Sequence, residues 1–201
     1  LTVLLHDNPV SGNCYKVRLI LTLRGIEFDR RKLSVVEYSE RLETLGGLSP
    51  TLNIPTVVLE DGRPLAESNA ILWYFAEGSR YLPDDAYERG QVLQWLFFEQ
   101  YKHEPGIAVP RFWDSIAPDD LKPPDDLEAR RASGHEALKV MERELRERPY
   151  FVGERFTIAD VALYAYTHVA PEAGFDLGPL PAVRAWLDRV AAEPGLISID
   201  D

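Results

Sequence analysis

The sequence predicts a small α/β domain followed by an all-helical domain. Short apolar strand patterns occur only before residue 79, helical periodicity continues after it, and the charge changes at the same place. Residues 1–78 carry 8 basic and 10 acidic side chains, whereas residues 79–201 carry 14 and 23, so the two parts differ in character.

Each element follows from local chemistry. Thr2-Val3-Leu4-Leu5-His6 is an apolar run of strand length, and Asp7 to Gly12, with Pro9, Ser11 and Gly12, is turn chemistry. From Asn13 a helix is expected: Val17, Ile20, Leu21 and Leu23 recur on one face, Lys16, Arg18 and Arg24 lie outside it, and Gly25 is a stop. Glu27 to Leu33 is a strand candidate, and Val36 to Leu45 a weak, solvated helix ending at Gly46-Gly47. Pro55 to Leu59 is a strand, joined by a two-residue hairpin turn at Asp61-Gly62 to Pro64-Leu65-Ala66. Ser68 caps a helix with Ile71, Leu72 and Phe75 inward, and Gly78 ends it. Residues 79–85 read as a linker. Beyond it, Ala86 to Trp113 is one long helical region, expected to bend or break at Pro105-Gly106 and at Pro110. Ala117 to Asp126 is a loop, and helices are expected over Leu127 to Arg148, Thr157 to Ala170 (the least charged, hence the most buried) and Pro181 to Glu193.

Composition excludes several functions. A net charge of −11 opposes binding to nucleic acid or to an anionic membrane surface. The single cysteine, Cys14, forms no internal disulfide, and His6, His103, His135 and His168 lie too far apart for a zinc motif, so no metal is expected. No uncharged stretch, Val161 to Pro171 among them, is long enough to span a bilayer, and Leu1 opens into a strand-like run with no visible signal peptide.

Four segments can carry chemistry. In Ser11-Gly12-Asn13-Cys14 a hydroxyl sits where a strand turns into a helix, and the free N–H groups of a first helical turn stabilise an anion such as a thiolate. The same pattern fits a plain N-cap by Ser11 or Asn13 with no ligand. Cys14, one turn in, reads as a small core residue or, alternatively, as an exposed redox thiol. Asn53-Ile54-Pro55-Thr56 opens a strand with a proline, trans at an edge or cis with the preceding backbone turned toward a ligand. Glu67-Ser68-Asn69-Ala70-Ile71 offers a hydroxyl and N–H groups for a carboxylate and a carboxylate for an ammonium, or simply a cap beside a solvated acid. Thr157 and Asp160 in Phe156-Thr157-Ile158-Ala159-Asp160 stand in capping-box relation and are structural.

In this order and spacing the four segments resemble the cytosolic glutathione transferases, over Thr2 to about Leu196. The resemblance implies a thioredoxin-like N-terminal domain at 1–78, the linker at 79–85 and a helical domain at 86–201 that forms the electrophile site. It also implies glutathione as co-substrate, a small hydrophobic electrophile, a homodimer and a cytoplasmic location. Ser11 falls where serine-type members (theta-, delta- and zeta-like) keep the hydroxyl that hydrogen-bonds the glutathione sulfur. The resemblance places Val10 to Asn13 around that sulfur, the backbone of Ile54, next to a cis Pro55, against the cysteinyl unit, and Glu67 and Ser68 at the γ-glutamyl end. Members often carry a basic residue two before the proline, for the glycyl carboxylate. Here Asn53 stands there, so binding is weaker or Arg41 or Lys16 supplies the charge.

In the helical part, the stretch from Phe97 to Pro105 is distinctive. Its aromatics, Tyr101 among them, with His103 and Phe112, are candidates for the wall that meets the electrophile, or for core packing and dimer contact; Arg111 is a candidate cation for the same site, or a surface residue. The expected function is addition of the glutathione thiolate to an electrophile. The alternatives are a non-catalytic binding module of the same fold, toward which Asn53 leans, and thiol–disulfide exchange through Cys14.

Overall fold

The computed structural model describes residues 2–201, and the expectation for Leu1 lies outside them. The chain forms two compact units: one up to Gly78 together with Pro194–Asp201, the other Ser79–Glu193. The sequence places the last residues with the helices. They instead rejoin the first unit, and residues 79–85 group with the second.

The first unit is built on a four-stranded mixed sheet in the order β2-β1-β3-β4. Strand β1 (Val3–Asp7) pairs in parallel with β2 (Phe28–Lys32) and antiparallel with β3 (Thr56–Val58), which pairs antiparallel with β4 (Pro64–Ala66). Helix α1 (Gly12–Leu23) makes the crossover that a parallel pair requires. β2 is an edge strand whose exposed Asp29, Arg30, Arg31 and Lys32 discourage further pairing. Helix α2 (Tyr38–Leu45) buries only Leu45, as a weak helix should. Helix α3 (Ser68–Ala76) packs on α1 through Ile71 and Leu72, both fully buried.

Three local expectations change. The β3–β4 turn is Glu60-Asp61-Gly62, not two residues, because Leu59 N donates to Arg63 O and Gly62 takes φ +83°. Glu67, not Ser68, occupies the N-cap position of α3, with φ +70°, and Ser68 is the first helical residue. Lys16 and Arg18 are fully buried, because α1 is enclosed on more sides than an amphipathic surface helix.

The second unit is helical: α4 (Ala86–Phe98), α5 (Glu104–Ser115), α6 (Leu127–Leu145), α7 (Ile158–Thr167) and α8 (Pro181–Ala191). A π-helical turn, Glu99–His103, joins α4 to α5 without a break, and α5 runs through Pro110. The proline deprives the Gly106 carbonyl of its helical donor, and that carbonyl lies against Gly134 of α6, where two glycines allow the backbones to touch. Every residue of α7 is buried. Its capping box is present: Thr157 Oγ1 accepts from Ala159 N, and Asp160 Oδ2 accepts from Thr157 N at 2.9 Å. Burial pushes the Asp160 carboxyl up to about 6, against hydrogen bonds from Thr157, Trp186 and Phe151 that favour the ionised form.

Candidate functional site

The β1–α1 loop puts Ser11 at the N-cap of α1 with extended backbone, φ −81° and ψ 118°. Its Oγ accepts from Cys14 N at 3.3 Å, and its own N–H donates to Asn8 O at 3.1 Å. Asn8 organises the loop further, its Nδ2 donating to Leu33 O at 2.7 Å and its Oδ1 accepting from Val10 N at 3.1 Å. Val10 is left exposed and Ser11 half-buried. A cavity of about 500 Å³ lies beside this loop, lined by Asn8, Pro9, Val10, Leu33 and Val35 among others.

The first and third motifs meet. Asn13 Oδ1 accepts from Lys16 Nζ at 2.8 Å and from Ser68 Oγ at 3.2 Å, and Lys16 Nζ lies 3.4 Å from Ser68 Oγ. The start of α1 and the start of α3 are thereby tied at a buried ammonium. Lys16 is the residue that sequence reasoning undervalues. Its i, i+3 spacing from Asn13 is a usable signal, but its charge points to solvent. Glu67 stays exposed, with Oε1 3.4 Å from Thr51 Oγ1. Its left-handed backbone is the kind of strain that gathers at ligand clamps.

The Ile54–Pro55 bond is cis. Ile54 is half-buried, and Asn53 is exposed with its carbonyl accepting from Thr56 Oγ1 at 2.8 Å. Of the two cations that could stand in for a basic residue at Asn53, Arg41 binds the carbonyls of Ser34 and Val35 at 3.1 and 2.8 Å, and Lys16 sits beside Ser68.

Cys14 is fully buried, and desolvation, with Asp7 nearby, pushes its thiol up to about 12. Exchange through Cys14 requires an exposed thiol, so that expectation is corrected: enclosure of α1 makes the residue an inert core group.

The helical candidates separate by burial. Tyr101 is 77% exposed and Phe112 half-buried, stacked edge-on with Trp113. Arg111 is buried and pairs with Glu172 at 2.7 Å. His103 is fully buried inside its unit, with Nε2 2.8 Å from Thr167 Oγ1. Among the described residues no group of three or more His, Cys, Asp or Glu could hold a metal, and no helix is long and apolar enough to cross a membrane.

Residues 10–77 match the family model of the glutathione S-transferase N-terminal domain, and residues 107–194 that of the C-terminal domain. A glutathione S-transferase structure from Xanthobacter autotrophicus Py2 is 45% identical, with TM-score 0.93 over 98% of this chain and 97% of that one. A glutathione transferase structure from Pseudomonas putida, with one glutathione disulfide bound per subunit, is 26% identical, with TM-score 0.80 over 96% and 88%. The disulfide-bond oxidoreductase YfcG of Escherichia coli is 27% identical over 92% of this chain and 88% of its own length. Two domain matches in the family's order, a near-complete relative at 45% identity and the mixed sheet followed by helices agree: the chain belongs to the glutathione S-transferase family.

Proposed function

We propose that this protein binds reduced glutathione on its thioredoxin-like unit and adds the glutathione thiolate to a small hydrophobic electrophile, with Ser11 stabilising the thiolate. The observation that carries the reading is the half-buried Ser11 at the N-cap of α1, at the end of a loop whose Asn8, Pro9 and Val10 line a cavity. A hydroxyl that accepts from Cys14 N still has a proton to donate. Lowering a thiol pKa by two units takes about 2.7 kcal/mol. A charge-assisted hydrogen bond contributes about 1.5–3 kcal/mol and a helix N-terminus up to about 2 kcal/mol, so no histidine base is needed. The thiol proton leaves to solvent. The sulfur lone pair then forms the C–S bond, and either a leaving group departs with its electron pair or the electrophile's π bond opens, its electron pair moving to the far atom, which takes a proton from solvent.

In this reading Val10 and Asn13 border the sulfur, Ile54 before Pro55 meets the cysteinyl backbone, and Ser68 with Glu67 holds the γ-glutamyl group. The buried ammonium of Lys16 favours the carboxylate there. Asn53 offers the glycyl end a hydrogen bond without charge. Tyr101 and Phe112 keep ring surface for an apolar electrophile. A second copy of the chain is the proposed partner of exposed Leu93 and Phe97 on α4 and of exposed Tyr74 on α3. The same reading carries a cytoplasmic location.

Ultraviolet titration of bound glutathione tests this reading. Ser11→Ala is expected to raise the pH at which the thiolate forms by roughly one to two units while glutathione still binds. An unchanged titration removes Ser11 from the mechanism, and failure of the intact chain to bind glutathione leaves a non-catalytic module.

The similarity to a disulfide-bond oxidoreductase favours a second reading, thiol–disulfide exchange. With Cys14 sealed, the exchanging thiolate in that case is the glutathione's own. Turnover of a disulfide substrate by Cys14→Ala distinguishes the two thiols.

A further inference from the structure

We propose that the C-terminal segment 197–201 is a working part of the Ser11 site, and that Arg18 is the positioning residue through which it acts. The proposal rests on the reading that Ser11 holds the glutathione thiolate.

Arg18 has no exposed surface, and its guanidinium joins three parts of the first unit. One terminal nitrogen donates to Asp7 Oδ1 at 2.8 Å, at the end of β1, and to Asn8 O at 3.4 Å. The other donates to Pro9 O at 3.3 Å and to Ile199 O at 2.7 Å. A guanidinium is a rigid planar fork, so displacing one acceptor shifts the geometry of the others. Asn8 O is also the acceptor for Ser11 N–H, at 3.1 Å. The cation that grips the tail therefore shares a carbonyl with the residue that holds the sulfur.

The tail is fastened on both sides of this hub. Tyr15 Oη donates to Ile197 O at 2.6 Å. Arg30 donates to Asp7 Oδ2 at 2.6 Å and also to Asp201 O. Asp7 thus sits between two arginines, each of which reaches a tail carbonyl. A clasp serving only to hold the fold has no need to border the catalytic loop, whereas this one takes two of its acceptors, Asn8 O and Pro9 O, from the residues just before Ser11. A hydroxyl-to-thiolate hydrogen bond is steep in geometry, and misplacement by about 1 Å can cost on the order of a hundredfold.

The test is made in the intact chain with two charge-conserving variants. Arg18→Lys keeps the cation beside Asp7 but cannot reach Pro9 O and Ile199 O together. Arg30→Lys, at the surface, keeps its charge while giving up the double grip on Asp7 and the tail. The readout is the pH midpoint of the bound thiolate, which a packing role would not move, alongside Tm. Arg18→Lys is expected to raise the midpoint by about one unit, a tenfold loss of thiolate below it, and Arg30→Lys to raise it by less. Combining Arg18→Lys with Ser11→Ala is expected to add nothing to the shift of Ser11→Ala alone. Lowered Tm with unmoved midpoints, or additive shifts in the double variant, overturns the proposal. If Arg18→Lys does not fold, Arg30→Lys decides by the same midpoint. If Ser11→Ala alone leaves the midpoint in place, the thiolate reading fails and the proposal with it; if Ser11→Ala moves it and the lysine variants do not, only the proposal fails.

Discussion

The indole Nε1 of Trp186 donates to Oδ1 of Asp160 at 3.0 Å, and this contact joins α8 to the first turn of α7. The same oxygen accepts from Phe151 N at 3.2 Å, and the other accepts from Thr157 N and Thr157 Oγ1. One buried carboxyl therefore organises two helices and the segment before them. Asp160→Asn puts an amide donor against donors and is expected to cost roughly 2–4 kcal/mol at about pH 5 by urea denaturation.

The pH dependence of that cost has a definite sign. The folded chain holds the Asp160 proton up to about 6, above the ordinary aspartate value of 3.8. Between those values the native state binds more protons than the unfolded state, so stability from this group is complete below the lower value and declines as pH rises through the upper one. The stability gap between the intact chain and Asp160→Asn is expected to narrow from about pH 4 to about pH 7. A gap that widens contradicts the assignment.

Gly134→Ala tests the contact of α5 with α6. A Cβ on Gly134 would press on the Gly106 carbonyl and lie 2.7 Å from Phe175 Cζ. Both helices would have to separate, at an expected cost of about 1–3 kcal/mol. A lowered Tm checks this. Gly90, where an added Cβ would meet nothing within 4 Å, is the control, and alanine there should be neutral or stabilising.

Cys14 should resist thiol reagents in the native state. A fully buried thiol held at about 12 offers almost no thiolate near neutral pH. Labelling is expected to follow unfolding, accelerating in urea along the unfolding transition. Rapid stoichiometric labelling without urea would restore the redox reading.

Ser68→Ala should divide the kinetics differently from Ser11→Ala. Ser68 is tied to Asn13 and lies beside Lys16, and in the proposed pose it meets the γ-glutamyl group and not the sulfur itself. Its loss is expected to raise KM for glutathione by about tenfold and leave the thiolate midpoint unmoved. A midpoint that moves with Ser68 would mean the two ends of the peptide site are not separate.

Much of the first unit is legible in the sequence because its signals are local. Ser11 before a helical run, proline opening a strand and glycine after Asp61 each act within a few residues. What escapes depends on distant partners. Lys16 and Arg18 have the composition of a solvated face, and the carbonyls of Asn8, Pro9 and Ile199, the carboxyl of Asp7, the amide oxygen of Asn13 and the hydroxyl of Ser68 help to make their burial tolerable. Pro110 escapes for the same reason: a proline inside a helix reads as a break, and the compensating approach of Gly134 comes from a different helix. In the helical unit, His103 and Arg111 look like site residues by chemistry, yet Thr167 and Glu172 engage them within the unit.

The clasp of Tyr15, Arg18 and Arg30 on residues 197–201 also bears on how the polypeptide is made. A ribosome delivers β1, α1 and the whole sheet long before it delivers Ile197 and Ile199. Until then the Arg18 cation lacks an acceptor that it has in the finished unit. Folding during synthesis usually proceeds domain by domain from the N-terminus. Here the leading unit is complete only once residues 197–199 have been made, so a nascent chain stalled anywhere in the helices carries an unfinished first unit.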